Sequence, residues 1–195
     1  MTVAAEIDRV CAVCGLDTER AAAIHEAGHA VVGHALGWRV ENMRLSAHEH
    51  GIAGSARVLP PLGAVTSHRL MLERAIGDAA GVAAEVIDRD LSTEAAVELR
   101  STHGAGDMRN ATYFLSLVYD RAQVAALIDY AHLRAGRILE KKWLEVLQLA
   151  DAVIDAGEVV FADAEHATAA SLAARGAHAL AVQGVTRRQP GDVLR

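Results

Sequence analysis

Aromatic residues are scarce in this 195-residue chain, at 4%, which disfavours a core built on sheets of aromatic and β-branched side chains. Cysteines number only 2, too few for a disulfide framework at this size. Positive charge is not in excess. The net charge of −6 argues against a nucleic-acid partner, because phosphate contacts need a basic surface. No apolar run approaches the roughly 18 residues that cross a bilayer. The first residues include Glu6, Asp8 and Arg9 rather than a signal-type apolar segment. What the chain does have is 52% hydrophobic residues and 40 alanines, a composition that favours helix. The expectation is a reduced, cytoplasmic, mainly α domain over residues 1–175, followed by a tail over 176–195.

Helix punctuation divides the chain further. Asp17 or Thr18 can cap a largely buried helix that runs to Ala35 or Leu36 and stops at Gly37. Val40–Leu59 reads as a short antiparallel hairpin turning at His48-Glu49-His50-Gly51, with Pro60-Pro61 as its stop. Ser67 can cap a second long helix to about Asp88, and a short helix follows over Thr93–Arg100. A glycine-flexible loop then leads into a helix over Asp107–Asp120. Residues from about Gln123 to Ala156 read as two amphipathic helices meeting near Glu140, and Asp163-Ala164-Glu165 begins a last short one.

The first of these helices carries His25-Glu26-Ala27-Gly28-His29, the HExxH pattern. Positions i and i+4 share one helix face, so both imidazoles can reach a single metal ion. Glu26 projects beside that ion and can take a proton from water activated there. A solvated His-Glu-His edge is the plainer explanation. However, these polar residues interrupt an otherwise apolar helix, where burying them unpaired would be costly and a metal resolves the conflict. Gly28 and Ala27 leave little bulk on the back of the helix. Spacing does not decide the third ligand. His34 lies about 140° around the helix from His29 and cannot join. Glu49 falls in the hairpin turn with no helix to present it. Asp107, in a first helical turn, is equally well read as a ligand or as an acidic residue stabilised by the helix dipole. A set of two histidines and one carboxylate also suits iron, cobalt or nickel.

At these residues the sequence resembles a known family, the peptidase domain of the FtsH family of membrane-anchored ATP-dependent zinc metalloproteases. AAIHEAGHAVVGHALG (22–37) resembles its zinc-motif helix, GIAGSARVLP (51–60) a strand that follows, AAGVAAEV (79–86) its "LGGRAAEE" helix, and GAGDMRNAT (104–112) the segment holding its third zinc ligand. Ile128–Asp155 is similar to its C-terminal helical pair, so the likeness spans about residues 18–170 in order. The resemblance implies a helical zincin-type peptidase domain with a small antiparallel hairpin beside the active-site helix. One Zn2+ would be held by His25, His29 and Asp107, with Glu26 as general base and acid of peptide hydrolysis. It also implies that Gly54, Ser55, Ala56, Arg57 and Val58 belong to a strand edge along which a polypeptide substrate is laid, although a short strand ending in two prolines also fits simple edge protection.

Departures from the family also shape the expectation. The chain shows no membrane-spanning helices, no ATPase module and no GxxxxGK[ST] phosphate loop, and Val82 stands where the family has arginine. The expected protein is therefore a free-standing, ATP-independent metalloendopeptidase for unfolded or flexible polypeptides, with no nucleotide site, acting alone or as a homo-oligomeric ring. The alternative is a zinc-containing regulatory or docking module that works with a separate ATPase and cleaves little by itself. The intact Glu26 favours the enzyme, since a closed structural site has no use for it. Cys11 and Cys14 lack a second pair and read as reduced thiols. His48, His50 and His103 lie in loops that can approach the cleft, although surface histidine explains each more simply. Arg187-Arg188 is too short for a nucleic-acid arm.

Overall fold

A computed structural model describes residues 18–48, 51–61 and 66–161. Cys11, Cys14, Glu49, His50, the helix expected from Asp163 and the 176–195 tail lie outside the described residues. Seven helices and three strands are described: α1 (Thr18–Ala35), β1 (Arg39–His48), β2 (Gly51–Leu59), α2 (His68–Asp78), α3 (Ala80–Asp88), α4 (Thr93–Ser101), α5 (Ala105–Ser116), α6 (Arg121–Lys141), α7 (Trp143–Ala156) and β3 (Glu158–Val160). The architecture is mainly helical with one small antiparallel sheet. No described helix is long and apolar enough to cross a membrane.

α1 occupies the middle of the fold, touching α3, α7 and both hairpin strands. Its sequence permits this because Ala23, Ala27 and Ala30 are fully buried beside Ile24, Val31 and Val32. Small side chains let neighbouring backbones come close. A Cβ added to Gly28 would lie 2.7 Å from the Ala80 carbonyl oxygen, so glycine is what allows α3 to pack there. The helix stops as the sequence predicts: Gly37 takes φ +81, and the Trp38 amide turns back to the Gly33 carbonyl.

The predicted hairpin is present, pairing from Arg39↔Leu59 to His48↔Gly51, with one irregularity between Val40 and Asn42. β3 adds to the other side of β1, giving the order β2-β1-β3. One long edge of β2 is therefore unpaired among the described residues.

Three boundaries differ from the sequence expectation. The helix capped by Ser67, whose Oγ accepts from the Leu70 amide, ends at Asp78 instead of running to Asp88, and α3 begins after Ala79. The poor helix former Gly77 sits at this joint, and its carbonyl accepts a hydrogen bond from His29. α5 starts at Ala105 and ends at Ser116, because Asp120 serves the next helix. Asp120 caps α6 in a reciprocal box with Gln123, at 2.9 and 3.0 Å. The α6–α7 break falls at Lys142, two residues past the expected meeting point.

Candidate metal centre

The i, i+4 spacing does on α1 what helical geometry requires, placing the His25 and His29 rings 4.8 Å apart, edge to face. Their Nε2 atoms are 3.1 Å apart. Asp107, in the first turn of α5, brings Oδ2 to 3.0 Å from His25 Nε2 and 3.6 Å from His29 Nε2. Tertiary packing thus brings Asp107 to the two rings, while His34 lies elsewhere, close to Lys142 and Glu145.

The far side of each ring fixes its tautomer. His25 Nδ1 donates to Glu85 Oε1 at 2.7 Å, and His29 Nδ1 donates to the Gly77 carbonyl at 2.7 Å. Both acceptors lack a proton to give, so in the neutral rings both Nε2 atoms present lone pairs toward each other and toward a carboxylate. Three acceptors facing one another require a shared positive charge, either protons or a cation. Tetrahedral coordination with bonds of about 2.0–2.1 Å separates donor atoms by about 3.3 Å, close to what is found here. His25, His29 and Asp107 can therefore hold a metal ion.

Without a metal, protons fill that role. Burial alone depresses the His25 ring, but Asp107 and Glu85 carry it up to about 10. The His29 ring is raised too, with Asp107 overcoming the same desolvation. Burial likewise works against Asp107, yet His25 and His29 hold its carboxyl well below the usual carboxylate range. Glu85, 2% exposed, resists desolvation through His103, His25 and Arg89 and stays ionised, at about 2. One oxygen steadies His25, while the other lies 2.5 Å from Arg89 Nη2 and 3.4 Å from His103 Nδ1. His103 therefore buttresses Glu85 from behind. The His48 side chain is not described.

Glu26 lines the same cleft as the triad, a cavity of about 250 Å³. Burial pushes its carboxyl above the ordinary value, against the pull of His29 and His25. β2 passes close by: a side chain at Gly54 would collide with Glu26. Gly54, Ser55, Ala56 and Val58 line the cleft. Arg57 does not. Its side chain instead pairs through Nε with Glu41 Oε2 at 2.8 Å.

Sequence reasoning missed Glu85 as the partner of His25. Its signal was available: a carboxylate on the inner side of an otherwise apolar run, Ala79–Val86, which implies a buried partner. It also missed Trp38, Arg74, Asp78 and Asn110 in the cleft wall. No protein-family model matches this chain, and no curated protein matches it significantly.

Proposed function

We propose that this chain is a zincin-type metallopeptidase, similar to the FtsH peptidase domain, that hydrolyses peptide bonds of unfolded or flexible polypeptides. The observation that carries the reading is one cleft holding three things together: a metal-competent donor triad, an extra carboxylate with a raised pKa, and an unpaired strand edge. The four sequence landmarks of the family fall on the elements that build this cleft.

His25, His29 and Asp107 would hold the ion, with Glu85 and the Gly77 carbonyl fixing the two rings. Zinc bound there supplies Lewis acidity and lowers the pKa of water to about 7. Glu26 takes the proton from the attacking water and later delivers it to the leaving amine. A carboxyl lifted by burial is suited to both transfers, since its affinity for the proton lies nearer neutrality. The outer edge of β2 offers backbone groups to an extended peptide and so binds main chain with little regard to sequence. No ATP enters this scheme.

The test is cleavage of casein and a fluorogenic peptide by zinc-loaded protein beside Glu26→Gln, with metal content measured in both. Cleavage by the parent that vanishes in a metal-replete Glu26→Gln protein supports the peptidase. A fully metallated parent that cleaves nothing overturns it and favours a docking module for a separate ATPase.

A further inference from the structure

We propose that the cleft contains, beyond the donor triad, a subsite in which Arg74 binds a carboxylate of the substrate. The proposal deepens the peptidase reading and rests on it. Gly33 follows His29 by four residues and continues the same face of α1. Gly33, Trp38, Val58 and Arg74 all line the cleft, so it extends from the triad along α1 toward its C-terminal end. Val58 packs down onto Gly33, where an added Cβ would lie 2.3 Å from Val58 Cγ1, and with Trp38 it makes the wall apolar. Arg74 is the one lysine or arginine in the lining among the described residues.

Its guanidinium is held in place. The central carbon lies 4.9 Å from the Phe114 ring centroid and 5.8 Å from that of Trp38, so two aromatic rings restrict the guanidinium. Nε sits 3.2 Å from Asp78 Oδ1, an ion-pair contact without hydrogen-bond geometry. Neither Nη donates a hydrogen bond to a described residue, and the side chain remains 31% exposed. A rigid fork with free donors matches the two oxygens of a carboxylate.

Trp38 is 5% exposed, and its Nε1 is buried with no hydrogen-bond partner. An indole nitrogen only donates, but this one is sealed from the cleft, so the donors this wall leaves open to a ligand are the Nη groups of Arg74. Asp78 Oδ2 and Arg74 Nε are likewise buried without hydrogen-bond partners. A carboxylate supplies what this wall lacks. It can come from an acidic side chain of the peptide or from its C-terminus.

The test uses fluorescently labelled alanine-rich peptides with Glu or Gln at each position in turn, each with a free or an amidated C-terminus. Binding is measured by anisotropy to the full-length, zinc-loaded Glu26→Gln protein, alone and combined with Arg74→Gln or Arg74→Lys. Preference for the carboxylate over its amide is expected at roughly tenfold to a hundredfold. It should collapse toward unity in Arg74→Gln and survive in part in Arg74→Lys, which keeps the charge against Asp78 but loses the fork. If Arg74→Gln does not fold, loss of most of the preference in Arg74→Lys supports the subsite in its place. Preference that follows the free C-terminus instead of Glu assigns the source to the chain end. Equal binding of acid and amide, or a preference untouched by both substitutions, overturns the proposal. Cleavage is scored in parallel with Glu26 intact. Cleavage without carboxylate preference sinks the subsite alone, preference in binding without any cleavage sinks the peptidase reading alone, and neither result sinks both.

Discussion

His132 of α6 and His25 of α1 are both substantially buried on helices, and they behave in opposite ways. His132 is 6% exposed, has Nε2 3.1 Å from Met108 Sδ, and is pushed down to about 4 by burial and by Arg100. Desolvation acts in the same direction on His25, yet Asp107 and Glu85 reverse it and raise the ring to about 10. One region treats histidine as a core side chain kept neutral. The other surrounds it with carboxylates and turns its Nε2 toward Asp107 and His29, where either a proton or a cation must sit. Burial of an imidazole therefore marks nothing by itself, whereas convergence of acceptors on its free nitrogen does.

The contrast can be broken or sharpened by measurement. The largest effect is expected from Glu26→Gln, which should lower peptide cleavage by about 10² to 10⁴-fold at unchanged metal content. A smaller loss would remove Glu26 from proton transfer. At His132 the expected effect is on stability. The ring titrates at 6.5 when unfolded and about 4 when folded, so the unfolded chain binds more protons between those values. Stability from this site is fully present above pH 6.5 and is lost as pH falls toward 4, by about 3 kcal/mol. Urea titrations at pH 7 and 4.5 should show that His132→Leu removes this part of the slope; an unchanged slope would refute its assignment. Glu85→Gln should weaken metal binding about 10- to 100-fold in competition with a chromophoric chelator, while His132→Leu leaves affinity alone. Equal effects of the two would erase the distinction between the regions. Smallest is Ser67→Ala, which removes the α2 cap and should cost about 1 kcal/mol equally at both pH values.

Much of the fold was legible because it is written in local chemistry. Gly37 stops α1, Ser67 caps α2 through its hydroxyl, and a polar turn with a proline stop marks the hairpin. β3 was not legible: three residues are too short to show a period, and only pairing with β1 defines them. The α2–α3 joint at Ala79 was hidden because the residues around it are mostly compatible with a continuous helix. The candidate site divides the same way. HExxH is a spacing within one helix and could be read directly. Asp107, Glu85 and the Gly77 carbonyl reach it only through packing of α5, α3 and α2, which helical periodicity does not encode.

The triad also has a mechanical consequence. His25 and Asp107 are 82 positions apart in the chain, so a cation shared between them fastens α1 to α5 across a long stretch of polypeptide. In the unfolded chain, bringing such distant groups together meets an entropic penalty that grows with the logarithm of the separation. The folded protein has already closed that distance. Occupancy therefore adds to stability with free metal concentration, by about 2.7 kcal/mol at a hundredfold excess over Kd. The ion would act as a removable rivet, and a melting curve recorded with and without chelator would weigh it without any substrate.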